Sequence, residues 1–266
     1  MRKGMTRICS LAACVAMALS LSACGDKATD EPEYADETAM SVIAEGFEKR
    51  SDKIDELVAK NEDTSTTKNR RLYVQTELDN DKPLKDARFK DSQMQEDVIS
   101  YINKLEDTMT LLKTSSPNSD DFASQWSSIY DERSKLLKKF VDDYGLTVGE
   151  QYQDSLDELL VNGADVAEND AIDEAIRGLV SGVTFEKTDD GYGSFTYSAV
   201  IQNTTNYDFS DVGILLALYD AQGVKVEETY ANTSSWRRGE SVRFEAFSST
   251  DAATMKPSVD YYDVAD

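Results

Sequence analysis

Few side chains in this 266-residue chain could do covalent chemistry. There is no histidine. That removes Ser-His-Asp and Cys-His catalysis, the commonest general base, and nearly all zinc and haem sites. The three cysteines, Cys9, Cys14 and Cys24, all fall at the N-terminal end. Carboxylates are what remains in abundance: 51 Asp and Glu stand against 28 Lys and Arg, a net charge of −23. Carboxylates alone support a narrow range of chemistry, chiefly glycoside cleavage by a facing pair and cation binding. Asp79-Asn80-Asp81 opens like a calcium loop. Pro83 and Leu84 then stand where a ligand and a glycine belong, and no Glu occupies the twelfth position. No phosphate-binding or dinucleotide glycine pattern occurs, so neither a metal nor a cofactor is expected. Basic residues are scarce enough for a consecutive pair to stand out. Trp236-Arg237-Arg238 combines two residue types enriched at interface hot spots and is the candidate partner contact. The charge excludes nucleic acid as a partner, because phosphates require Lys and Arg to neutralise them. It also argues against anionic lipid headgroups binding the folded part.

The cysteines sit in a recognisable setting. Arg2, Lys3 and Arg7 precede an apolar run from Ile8 to Ala23, which ends in Leu21-Ser22-Ala23-Cys24-Gly25. A basic start, a short apolar stretch and small residues before a cut site make a secretory signal. The run falls short of the roughly 20 apolar residues a spanning helix needs. A small-residue site closed by cysteine resembles the bacterial lipobox, in which the Cys thiol takes a diacylglycerol and becomes the mature N-terminus. The resemblance implies cleavage between Ala23 and Cys24, lipidation of Cys24, and a lipid-anchored place on the extracytoplasmic face of the bacterial cell membrane. Leu11-Ala12-Ala13-Cys14 also fits the pattern, but a cut there leaves almost no apolar run before it. Cys9 and Cys14 leave with the signal and Cys24 ceases to be a thiol, so packing alone must hold the fold. Three basic and no acidic residues leave with them, making the remainder three charges more negative.

The elements that would position any site follow from periodicity. Gly25 to about Asp36 reads as a tether, reaching at most about 40 Å. Ile43, Phe47, Ile54 and Leu57 then mark a helix, with Arg50 in one slot of the stripe. Glu62 to Thr67 reads as a break, a shorter segment carries Leu72 and Leu78, and Asp79 to Lys90 reads as a loop. Ser92 and Gln95 fit a capping box ahead of Val98, Ile102, Leu105, Met109 and Leu112. Ser115 to Ser119 turns the chain. Phe122, Trp126, Ile129, Leu136 and Phe140 rebuild a stripe that Arg133 interrupts, with Trp126 expected in the core. Gly145 is placed for a left-handed stop, giving an antiparallel hairpin. Thr147 and Glu150 suggest a second capping box, for a helix through Leu156 and Leu159 that ends at Asn162-Gly163. A last helix carries Ile172, Ile176, Leu179 and Val180. After Gly182 the period becomes two. Phe195 to Ile201, Val212 to Tyr219, Val224 onward, Val242 to Ala246 and Val259 to Val264 read as strands. Turns are read at Asp189-Asp190-Gly191, Asp220-Ala221-Gln222-Gly223 and Arg238-Gly239.

Leu216-Ala217-Leu218-Tyr219-Asp220, followed by Ala221-Gln222-Gly223 and later Gly239-Glu240, resembles the FxLYD domain of bacterial secreted and surface proteins. Asn203 also fits that pattern. Leu216 replaces the motif's Phe, and Arg238 stands where a Pro often precedes Gly-Glu. The resemblance spans roughly Gly182 to Asp266. It implies a non-catalytic, immunoglobulin-like module without a defined ligand. The expectation is therefore α+β in separate domains: signal 1–23, acylated Cys and flexible tether 24–36, an N-terminal antiparallel helical bundle over 37–180, and a C-terminal immunoglobulin-like β-sandwich over 182–266. The expected function is that of a membrane-anchored surface lipoprotein, not an enzyme, that presents both parts to a surface protein or a cell-wall polymer. The alternative is a carboxylate-dependent hydrolase of cell-wall polymers, which needs two acids converging in a cleft.

Overall fold

Helical periodicity carries through to Ser181, and the computed structural model, which describes residues 34–265, bears five helices there: α1 (Ala39–Ala59), α2 (Thr67–Asp81), α3 (Ser92–Thr114), α4 (Asp120–Tyr144) and α5 (Gln153–Ser181). The signal, Ala23 and Cys24 lie outside the described residues. Of the stretch read as tether, Tyr34, Ala35 and Asp36 fall inside them and are fastened to the α2–α3 connection. Ala35 N–H donates to Arg88 O at 2.8 Å, and Asp36 accepts the Lys90 and Asp91 N–H groups at 2.9 Å each. No helix among the described residues is long and apolar enough to cross a membrane.

The expected stripes bury one another. Ile43, Phe47 and Leu57 of α1, Leu78 of α2, Val98, Ile102 and Leu105 of α3, and Phe122 and Phe140 of α4 form one core with Leu156 and Leu159 of α5; Tyr73, Val74 and Leu137, outside the expected stripes, complete it, whereas Leu72 is exposed and Ile54 and Leu136 are only partly buried. Each buried side chain contributes ~1.5–3 kcal/mol by leaving water, the main stabilising term among the described residues, which include no cysteine. The break after α1 is present, and Thr66 caps α2 by accepting from Asn69 N–H. Gly145 adopts φ 71°, ψ 31°, and Leu146 N–H reaches back to Phe140 O at 2.9 Å, which closes α4 as expected.

Five local readings change. Asp79, Asn80 and Asp81 belong to the last turn of α2 rather than a loop, and a short 3-10 turn, Lys82–Asp86, follows with Pro83 near its start. The cap of α3 is Asp91, whose carboxylate accepts from Gln93 and Met94 N–H, so Ser92 is already helical. Thr147 and Glu150 make no capping box. A 3-10 turn, Glu150–Tyr152, leads into α5, and Gly149 N–H donates to Glu48 Oε1 instead. Asn162-Gly163 does not end a helix, because α5 runs straight through it. A Cβ at Gly163 would lie 2.4 Å from Ser134 O, so the glycine marks a close helix crossing, not a stop. Trp126 is only half-buried, with the Arg70 guanidinium 4.2 Å over its ring.

Six strands follow: β1 (Glu186–Gly191), β2 (Ser194–Gln202), β3 (Phe209–Tyr219), β4 (Lys225–Thr233), β5 (Ser241–Ser248) and β6 (Thr254–Val264). They form two antiparallel sheets of three strands, ordered β1-β2-β5 and β4-β3-β6. The β1–β2 turn lies at Gly191-Tyr192-Gly193, all with positive φ, two residues beyond the expected site. Inward side chains of both sheets, among them Tyr197, Ile201, Leu216, Leu218 and Phe244, share one core. Ile172, Ile176 and Val180 of α5 enter that same core. A single 29-residue helix therefore has its first half in the helical core and its last turns in the β core.

Candidate functional site

The slots where arginine interrupts the apolar stripes lead to the most unusual chemistry in the molecule. Arg50 of α1 and Arg133 of α4 both point at Glu77 of α2, which is fully buried. Arg50 Nη1 lies 2.7 Å from Glu77 Oε2, and Arg133 Nη2 lies 2.7 Å from Glu77 Oε1. The hydroxyl of Tyr101, on α3, also donates to Glu77 Oε1. One carboxylate thus gathers side chains from three other helices. Burial by itself raises the Glu77 pKa, but the guanidiniums of Arg133 and Arg50 and the Tyr101 hydroxyl outweigh it and hold the carboxyl down at about 2.

One turn on, Asp81 is also fully buried. Its Oδ1 accepts from Asn80 at 3.1 Å and its Oδ2 has no protein partner. The carboxyl rests on Gly46 of α1, where a Cβ would come within 2.2 Å of it. Burial first, and the charge of Glu77 second, push the Asp81 pKa up to about 8. The cluster therefore sets one carboxylate bonded to two guanidiniums beside an acid whose protonated form burial favours. Arg133 is 4% exposed and its Nε has no protein partner.

Both arginines line a cavity of about 250 Å³ between α1, α4 and α5. Phe47, Ile54 and Leu159 supply apolar wall, and the rings of Tyr130 and Tyr152 frame the opening. Tyr152 is held there by a 2.8 Å bond from its hydroxyl to Asp52. Asp55 and Glu158, both exposed, complete the lining. The arrangement offers hydrogen-bond donors and positive charge in its interior, and no activated nucleophile. Among the described residues no group of three or more acidic or thiol side chains converges to hold a metal.

The sequence pointed to a different patch. Trp236 is fully buried. It meets Phe244 edge-on at 5.2 Å, and its backbone pairs with Phe209 in both directions. Aromatic area of that size is better buried between the sheets than left on a loop. Arg237 and Arg238 are exposed, with Arg238 Nε 3.6 Å from Asp208. The tripeptide therefore presents two arginines and no tryptophan. Asn203 and Asp220, residues that carry the family resemblance, serve local structure. Asn203 donates to Tyr207 O and Trp236 O, while Asp220 accepts from Gln222 and Val224 N–H in its turn. Glu77 escaped the sequence reading, and Asp81 entered it only as part of a failed calcium loop, because α2 has almost no one-sided apolar pattern. Arg50 and Arg133 were the available signal, since an arginine in a core slot requires a buried counter-charge. Comparison with family models, with curated proteins and with solved structures gave no match for this chain.

Proposed function

We propose that this protein is a lipid-anchored component of the bacterial envelope, held by Cys24, whose folded part binds rather than catalyses. The helical part and the two-sheet part, read as an immunoglobulin-like sandwich of the FxLYD kind, are presented to a surface protein or a cell-wall polymer. One observation carries the non-catalytic reading. The two carboxylates of the cluster, Glu77, held down by its arginines, and Asp81, pushed up by burial, are sealed inside the bundle and out of reach of any substrate. The acids that do line the cavity, Asp55 and Glu158, are exposed and are not sealed from water as a facing catalytic pair would be.

Two measurements test the reading. Mass spectrometry of the mature N-terminus should find a lipid-modified Cys24, and Cys24→Ala should release the protein from membranes. A variant as membrane-bound as wild type refutes the anchor. Purified protein incubated with peptidoglycan should release no reducing ends. Turnover that Asp55→Asn or Glu158→Gln abolishes refutes the non-enzymatic reading and restores the hydrolase.

A further inference from the structure

In the buried cluster two guanidiniums share one ionised carboxylate. Arg50 and Arg133 both bond to Glu77, and neither has a second acidic partner among the described residues. The interior of the bundle thus holds one positive charge more than it has partners for, in a chain whose net charge is −23. An unpaired buried charge is costly, and an anion that reaches a guanidinium as desolvated as that of Arg133 gains more than it would beside a fully hydrated one. The cavity lined by Arg50 and Arg133 is the route to that charge, and the unpartnered Arg133 Nε marks unused donor capacity beside it.

The other lining groups narrow the ligand. Asp55 and Glu158 are exposed carboxylates on the same cavity, so a simple anion entering it is repelled where it enters. A cationic group on the same molecule turns that repulsion into attraction. Phe47, Ile54 and Leu159 favour an apolar body between the two charges. A volume of about 250 Å³ lies just below the roughly 300–1,000 Å³ of drug-sized sites. We propose that this cavity binds a small zwitterion with an apolar side chain, an α-amino acid or dipeptide, its carboxylate toward Arg50 and Arg133 and its ammonium toward Asp55 and Glu158. The proposal rests on the reading of the folded part as a binding module and supplies its ligand class.

Calorimetric titration of the full chain, purified in detergent, tests it with leucine, leucyl-leucine, N-acetyl-leucine, leucinamide and acetate. Leucine or leucyl-leucine should bind, and the tighter of the two identifies the source of the zwitterion. Removing either charge, as in N-acetyl-leucine and leucinamide, should weaken binding at least about tenfold. Ser155→Trp fills the cavity from an exposed lining position and should abolish binding while leaving the thermal melt nearly unchanged. No heat from leucine or leucyl-leucine up to about 10 mM overturns the proposal. So does N-acetyl-leucine or acetate binding as tightly as leucine, or a Ser155→Trp protein that folds and binds unchanged. None of these results touches Cys24 or turnover, so failure here leaves the anchored, non-catalytic reading standing.

Discussion

Replacing Glu77 by Gln tests the charge cluster directly. The amide keeps the shape of the side chain and one carbonyl oxygen, which still accepts from Tyr101 and Arg133. It places an N–H₂ against Arg50 Nη1, donor against donor, and it removes the only ionised partner of two guanidiniums. Arg50 can turn partly toward water, since its side chain is 16% exposed, but Arg133 cannot. The size of the effect comes from two directions. Breaking a buried ion pair by removing one partner costs ~3–5 kcal/mol. Independently, a carboxyl held at about 2 rather than 4.5 corresponds to a few tenfold steps of ~1.4 kcal/mol each, on the order of 3 kcal/mol. In a protein of this size that is a fall in Tm of about 10 °C. Urea denaturation at pH 7 measures it, with Glu77→Gln/Arg133→Met as the second variant, which should recover part of the loss because it removes the stranded charge as well. The acid limb supplies a further check. A depressed carboxyl gives stability that is present above 4.5 and lost as pH falls toward 2, so wild type and Glu77→Gln should converge over that window. A Glu77→Gln protein within ~1 kcal/mol of wild type at pH 7, with no recovery in the double variant, would show that water reaches the cluster and that the electrostatic account is wrong.

Further outcomes follow from single contacts. Asp81 is shifted the other way, so its contribution is fully present below 3.8 and declines as pH rises through about 8; Asp81→Asn should gain stability relative to wild type across that window and level off above it, read from urea midpoints between pH 5 and pH 9. Gly163→Ala puts a methyl group 2.4 Å from Ser134 O and should cost ~1–3 kcal/mol in thermal unfolding, whereas an unchanged melt would mean that α4 and α5 slide apart freely. Trp236→Ala should cost ~3–5 kcal/mol, and Arg237→Ala almost nothing; a stable Trp236→Ala protein would return that residue to the surface.

Apolar periodicity was legible wherever a helix or strand buries one face and wets the other. The stripe from Val98 to Leu112 and the alternation from Phe195 to Ile201 form cores as read, and the stripe from Phe122 to Phe140 does so at its two ends, with Trp126, Ile129 and Leu136 partly buried against the core. Gly145 was legible because only a left-handed residue fits between a helix end and a returning Leu146. Gly163 was not, since a glycine that admits a neighbouring backbone and one that stops a helix look alike until the neighbour is known. β1 was missed because all six of its residues are exposed, leaving no alternation to see. The cluster around Glu77 is tertiary in origin. Its members come from four helices, 27 residues apart at Arg50 and 56 at Arg133, and no local pattern links them. Trp236 misled because residue type alone suggested a contact, while the backbone bridge to Phe209 that draws it inward belongs to the fold.

The passage of α5 from one core to the other sets the geometry of the protein by helical phase. Between Gly163, pressed on Ser134, and Ile172, the first α5 residue in the β core, lie eight positions that are mostly exposed. Along that stretch the helix is held chiefly by its own hydrogen bonds, with Asp170 reaching Lys135 at 2.6 Å. A helix advances 1.5 Å and turns about 100° per residue. Inserting one residue there would swing the whole two-sheet part through about 100° while leaving every core contact of both parts in place. Inserting seven would restore nearly the original facing at about 10 Å greater separation. Register along a single bare stretch of helix thus acts as the dial that sets how one half of the protein faces the other, and it can be reset without repacking either half.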